Sequence, residues 1–322
     1  MTPKENFTAF FRHERGEWFP SFFTDANLAV YTTGMDERAP GNGSGKDFFG
    51  CTWVYDAAGG AAVPDTRVAP ILEDICDWRE KVIFPDLDAV DWAACAKADH
   101  VDTYDPDKFN YAMLLEWPFE RLHTLMGFEN ALCAMLSDPG EVYEFFGRLA
   151  EHKCRELEIM RKYYHADAIC FHDDWGTQTN MFFSPELWRQ LIKPHIRTIV
   201  TRCHELGMFF DMHSCGKMDQ IIPEFPGIGI DSFQGQGIND IPAAMARTGN
   251  TLSYNVTPRY QALEAEAATG TLTEEEVRRR IRSEVMTCAE NGIYTPAFVP
   301  VKTWWFPIAL DETQKCALEI FG

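Results

Sequence analysis

Short apolar runs recur along the chain, and amphipathic stretches of helical period lie between most of them. The runs are Trp18–Phe23, Cys51–Tyr55, Tyr111–Trp117, Ala168–Asp174, Met208–His213, Ile228–Phe233, Thr251–Val256 and Gly292–Phe298. Their length and flanking turn residues predict strands. Helix starts are written between them. Thr2-Pro3-Lys4-Glu5 has the form of a capping box with proline at the first helical position. Asp138-Pro139-Gly140-Glu141, Ser184-Pro185-Glu186 and Thr273 with Glu276 repeat that logic. The pattern after Ser184 predicts one long helix that tolerates or kinks at Pro194. From residue 111 onward strand and helix patterns mostly alternate, which predicts parallel strands joined by crossover helices.

Eight candidate strands suggest an α/β fold of the closed (β/α)8 TIM-barrel kind. It would form a single domain over 1–322, with an irregular portion over about 1–110. An open doubly wound sheet is the competitor. It usually carries a glycine-rich phosphate turn after its first strand. The GNGSG at 41–45, within the loop-like APGNGSGK at 39–46, does not sit between a strand and a helix and reads as a surface loop.

A barrel carries its reactive groups at the C-terminal strand ends. Those ends present Glu116 and Trp117, then His172, Asp173 and Asp174, then His213 and Cys215, then Gln234 and Gln236, then Asn255. In DMHSCG, period-two alternation sends Asp211, His213 and Cys215 to one face and Phe210 and Met212 to the other. An imidazole and a thiolate two residues apart suit Zn²⁺. The same pair is equally read as a hydrogen-bonded core histidine beside a buried cysteine. Gly216 lets the chain turn after the strand. In FHDDWGTQ, alternation points His172 and Asp174 inward, with Asp173 where alternation can fail. Adjacent carboxylates there can orient substrate, move a proton or ligate a metal, or one of them can cap a backbone turn. His172, Asp173 and Asp174 are therefore the catalytic candidates. Gln178, Trp175, Gln234 and Asn255 are candidates for substrate binding. Trp53, Trp117, Trp175, Trp304 and Trp305 read as core or as walls for a flat apolar ligand. The pair Trp304-Trp305 is the hardest to bury, and it would shape a mouth or an interface, including one between two copies of the chain.

Composition narrows the partners. The formal net charge of -20 over 322 residues disfavours nucleic acid, which needs Lys and Arg for its phosphates. No stretch reaches the roughly 20 apolar residues of a membrane helix. The N-terminus has no basic region followed by an apolar run, so no signal peptide is expected. Ten scattered cysteines predict reduced thiols in the cytoplasm. The sequence has no G-x-S-x-G, Walker loop, H-E-x-x-H or C-x-x-C.

DFFGCTWVYD, FERLHTLMGFENAL, FHDDWGTQTNMFFSPELWRQLIKPHI and MHSCGKMDQIIPEF, with the N-terminal MTPKENFTAFFRHERGEWFP, resemble the uroporphyrinogen decarboxylase-like superfamily. They are closer to its corrinoid-linked methyltransferase branch. The resemblance runs over nearly the whole chain and implies a (β/α)8 barrel. It also implies zinc on His213 and Cys215, and a methyl group passed between a small methylated compound and a cobalt corrinoid, methylcobalamin-like, supplied by a corrinoid-binding partner protein. The better-known thiol methyltransferases of that branch have a third zinc ligand, a cysteine just after the last strand. Here that region is YTPAFVPVKTWW, and Cys288 lies before it on a predicted helix. Glu116, Asp174 and His172 are the alternatives for that ligand. The decarboxylase branch implies an arginine-rich N-terminal signature for a polycarboxylate, whereas WFPSFFTDANLAVYTTG has no arginine. Cofactor-free decarboxylation therefore ranks second, and a catalytically silent barrel that holds a corrinoid partner ranks third.

Overall fold

A computed structural model describes residues 1–30, 32–39, 43–57, 60–297 and 301–322. Residues 40–42 of the surface-loop reading and the end of the last strand reading, Phe298, fall outside them. Ten strands are present among the described residues: β1 (Ala26–Ala29), β2 (Gly45–Lys46), β3 (Thr52–Asp56), β4 (Ala61–Pro64), β5 (Phe109–Leu114), β6 (Ala168–His172), β7 (Phe209–His213), β8 (Ser232–Gln236), β9 (Ser253–Thr257) and β10 (Tyr294–Pro296). Seven of them form one parallel sheet in the order β1-β5-β6-β7-β8-β9-β10. Helices on the crossovers cover its outer face, as in a TIM-like α/β fold. The side chains that alternate outward, such as Phe171, Phe210, Met212, Phe233 and Tyr254, are fully buried.

The expected closed eight-stranded barrel is corrected to this seven-stranded sheet. Both departures lie in the first 110 residues. The run at Cys51–Tyr55 does form a strand, but β3 pairs antiparallel with β2 and β4 in a separate sheet. The run at Trp18–Phe23 forms no ladder. Pro20 has no N–H to give one, and the Trp18 indole and the Ser21 N–H both donate to Asp25. The segment instead packs beside β10. Thr295 Oγ1 donates to the Pro20 carbonyl at 2.8 Å, and Phe19 meets the Tyr294 ring edge-on. The strand that opens the sheet is the short β1 just after it.

The helix signals are realised with two changes, the first being that Asp138 stands at the N-cap of helix Pro139–Tyr163 without a side-chain capping bond. Thr2 and Glu5 form the reciprocal capping box of helix Pro3–Phe11. That helix seals the N-terminal end of the sheet: Phe11 stacks on Phe109 and Phe209, and the Phe10 carbonyl accepts from Ser253. Ser184 caps helix Pro185–Leu191, and Thr273 caps Glu274–Asn291. The single long helix expected after Ser184 is two, Pro185–Leu191 and Lys193–Glu205, which meet at Ile192. Pro194 removes one helical N–H and crowds the carbonyl four residues back, which accounts for the break.

Ion pairs attach the irregular N-terminal portion to helices Phe119–Met126 and Pro139–Tyr163 and to Glu116. Arg121 and Asp47, both buried, are 2.6 Å apart. Lys153 pairs with Glu37 and, at 2.9 Å, with Glu156. Arg38 reaches Glu116 at 2.6 Å and Glu120 at 3.2 Å. No helix among the described residues is long and apolar enough to cross a membrane.

Candidate active site

Two loops at the C-terminal strand ends are stitched together through backbone N–H groups. The Cys215 N–H donates to Asp174 Oδ1 at 2.6 Å, the Trp175 N–H to Ser214 Oγ at 3.2 Å, and the Lys217 N–H to the Thr177 carbonyl at 2.8 Å. Gly216, at φ +94°, lies so close to Gly176 that a Cβ there would fall 2.2 Å from the Gly176 carbonyl carbon. The stitching brings the ends of β6 and β7 together. His172 and His213, in register across the two strands, stack with ring centroids 4.3 Å apart.

Ligand atoms of His172, Asp174 and His213 all lie within 4.8 Å of one another. Cys215 Sγ sits 3.4 Å from His213 Nε2, and Asp174 Oδ1 sits 3.8 Å from the same nitrogen. The other nitrogen of each ring is taken. His172 Nδ1 meets Glu120 at 2.7 Å, and His213 Nδ1 meets Gln234 Oε1 at 2.7 Å. A chain of donors fixes the His213 tautomer. The Tyr111 hydroxyl donates its proton to Asp211 at 2.6 Å, so it can only accept from the Gln234 amide nitrogen at 3.3 Å. The amide oxygen of Gln234 then faces Nδ1, which must carry the hydrogen and leaves the Nε2 lone pair free.

Burial, reinforced by stacked His172, pushes His213 down to about 4. Burial also lowers His172. Burial opposes ionisation of Asp174, but His172, His213 and the Cys215 N–H outweigh it and hold the carboxyl below its usual range. At neutral pH the group is therefore two neutral imidazoles and one carboxylate. Burial, with Asp174 beside it, raises the Cys215 thiol. Nitrogen, carboxylate and sulfur donors at this spacing, with both rings held from behind, fit a zinc ion.

The mouth opens into a cavity of about 500 Å³. His213, Cys215, Gln234, Gln236 and Asn255 supply most of its polar wall, and Phe22, Phe23, Leu28 and Met113 supply apolar wall. Lys and Arg are absent from its described lining, and its one carboxylate, Glu264, is exposed.

The model of the family described as uroporphyrinogen decarboxylase (URO-D) matches residues 106–289, which include every strand from β5 to β9 and both stitched loops. The chain belongs to the URO-D family. No curated protein gives a significant sequence match. Solved structures similar to this URO-D chain include a glycosylated endo-beta-1,4-xylanase of glycoside hydrolase family 10 from Gloeophyllum trabeum. It is 12% identical, with TM-score 0.42, over 71% of this chain and 78% of that one. An intracellular xylanase from Thermoanaerobacterium saccharolyticum is 13% identical, with TM-score 0.37, over 64% and 68%. An amidohydrolase is 16% identical, with TM-score 0.34, over 53% and 45%, so the chain spans under half the length of that protein. None of these likenesses bears on the chemistry of the site.

Within the URO-D fold the candidate residues separate. His172, Asp174, His213 and Cys215 converge. Gln234 and Asn255 line the cavity. Asp173 is fully buried and caps helix Phe119–Met126, accepting from the Glu120 N–H at 2.8 Å and from the Trp175 indole. Trp175 itself is in the core against Trp188 and Phe225. Glu116 stands apart from the trio in a left-handed backbone conformation, φ +55°. Arg38 holds one of its oxygens and Thr124 the other, at 2.9 Å. Gln178 is exposed on the loop. Trp305, expected to resist burial, is fully buried against Tyr260, while Trp304 is half exposed.

Sequence reasoning missed Glu120, Arg38 and Tyr111. Glu120 is pushed well up by burial beside Glu116 and Asp174, whereas against its own burial penalty Arg38 and Arg121 keep Glu116 low. One guanidinium between two carboxylates thus leaves the charge on Glu116. Glu120 could have been found as a helix-start carboxylate after a strand end. Nothing local marks Arg38.

Proposed function

We propose that the chain is a corrinoid-protein-dependent methyltransferase, assisted by zinc, that moves a methyl group between a small methylated compound, for example a methoxylated one, and a cobalamin-type cofactor on a partner protein. The observation that carries this reading is the convergence of His172, Asp174 and His213, with Cys215 beside them, where His213 and Cys215 line a cavity whose described wall has no Lys or Arg. A decarboxylase of polycarboxylates needs guanidinium or ammonium groups for its substrate. Arg38, the guanidinium nearest the site, is held by Glu116 and Glu120.

Zinc, when bound, supplies Lewis acidity toward the heteroatom that loses or receives the methyl group. The chain's own residues do the rest. Gln234 at Nδ1 leaves the Nε2 lone pair of His213 free, and Glu120, once ionised, would do the same for His172. Asp174 contributes the negative charge. The largely apolar cavity keeps water from the reacting atoms. In the demethylating direction the methyl carbon moves to reduced cobalt on the partner, and the heteroatom keeps the bonding pair and takes a proton from solvent. Ten free cysteines suit a reducing, cytoplasmic setting.

The test is methylation of a reduced corrinoid protein by a panel of methoxylated and N-methylated compounds, followed by its visible spectrum. The methyl-cobalt spectrum is expected to appear with the wild type and to fall away in His213→Ala and Cys215→Ala as zinc is lost. Release of CO₂ from a porphyrinogen acid without any corrinoid protein would instead establish the decarboxylase. Partner binding with no transfer from any donor would mark a silent scaffold.

A further inference from the structure

Asn255 sits on β9 facing the cavity, between Gln234 on β8 and Thr295 on β10 in register. It is 0% exposed, and neither its amide oxygen nor its amide nitrogen has a hydrogen-bond partner. Its neighbours on the same layer are satisfied elsewhere: Gln234 by His213 and Tyr111, and Thr295 by the Pro20 carbonyl. A buried carboxamide with both ends free is costly for folding alone, because each unmet group forfeits its solvation. Placed in the wall of a cavity, it is a preformed donor–acceptor pair.

We infer that Asn255 is the specificity-determining residue of this cavity, and that it selects an uncharged substrate whose apolar body carries an amide-like edge. A carboxamide offers one C=O and one N–H in a single plane. Its complement is an N–H and a C=O in cis, as in a primary amide, a lactam or a cyclic carbamate. A carboxylate brings two acceptors, so one oxygen would face the Asn255 carbonyl, and the described wall has no cation to offset that charge. The apolar wall from Phe22, Phe23 and Met113 takes the rest of the molecule. The inference rests on the reading of this cavity as the substrate site, and it deepens that reading by naming what the substrate must display.

Calorimetric titration of the purified full chain, with and without zinc, tests it with three probes that share one phenyl ring: benzamide, N,N-dimethylbenzamide and benzoate. Benzamide is expected to bind the wild type about 10–100-fold more tightly than either of the others. Asn255→Leu should level the three affinities. It should also melt at or above the wild type, since it removes an unpartnered buried amide. Asn255→Asp, nearly isosteric, should gain benzamidine, whose two N–H groups match a carboxylate. Equal binding of benzamide and benzoate by the wild type, no benzamide binding at all, or benzamide binding unchanged in both variants each overturns the inference. No corrinoid protein enters this measurement. Its failure therefore leaves methyl transfer standing, and a failure of methyl transfer leaves the amide preference standing.

Discussion

The two imidazoles of the site are oriented by different means. A carboxyl group, Glu120, holds His172, while an amide, Gln234, holds His213 and is itself oriented by Tyr111 and Asp211. Gln234 would therefore act on a bound zinc ion through the tautomer of His213. Gln234→Leu is expected to lower zinc affinity about 10–100-fold without unfolding the protein. Competition with a chromophoric chelator reads this directly, and an unchanged affinity would contradict the donor chain. Asp211, at the far end of that chain, gives a pH prediction. Burial raises it from 3.8 to about 6. Between those values the folded protein keeps a proton that the unfolded chain has lost. The cost of burying the ionised carboxylate is thus full above pH 6 and fades as pH falls toward 4. Asp211→Asn keeps an acceptor for the Tyr111 hydroxyl and never ionises. Its melting temperature should exceed that of the wild type above pH 6, by the equivalent of at most about 3 kcal/mol. The two curves should converge below pH 4. A constant offset across that range would mean that Asp211 does not titrate there.

At the scale of elements, the site depends on two loops whose backbones touch. DMHSCG and FHDDWG are both legible as strand ends, because alternation and a following glycine are local properties. Their mutual contact is not, since Gly176 looks in sequence like any loop glycine. Gly216→Ala would place a Cβ on the Gly176 backbone and also force alanine to φ +94°. The expected result is a stability loss of about 1–3 kcal/mol together with weaker zinc binding, measured by denaturant titration and metal analysis on the same preparation. Zinc binding that survives intact would show that the loops hold their positions without the glycine contact. The same limit explains Asp173. Its neighbour Asp174 reaches the trio, while Asp173 turns back to cap helix Phe119–Met126. Alternation already aims Asp174 inward, but the capping role of Asp173 follows only when the packing of the next helix is known.

Over the whole molecule, the N-terminal portion joins the sheet through the pairing of β1 with β5, and the stretch between those strands is held by buried charges. Arg121 and Asp47 lie buried against each other, and Arg121 also donates to the Glu37 carbonyl at 2.6 Å. Asp47→Ala should cost about 3–5 kcal/mol, because it leaves a buried guanidinium without its counter-charge. Asp47→Leu combined with Arg121→Met should recover most of that loss. Urea unfolding of the single and double variants checks this, and a single variant as stable as the wild type would show that the pair is not needed to hold this region. By itself the sequence determined the α/β alternation after residue 111, the helix caps at Thr2, Ser184 and Thr273, and the strand-end clustering of His172, Asp174, His213 and Cys215. Each of these follows from period, capping chemistry and nearest-neighbour alternation, which act over a few residues. Only the tertiary structure decided that seven strands share the sheet, that Cys51–Tyr55 leaves it for a small antiparallel sheet, that Glu116 faces Arg38, and that Asn255 meets the cavity with an unspent amide. Those outcomes depend on which distant side chain arrives to satisfy a buried polar group, and no local pattern encodes that.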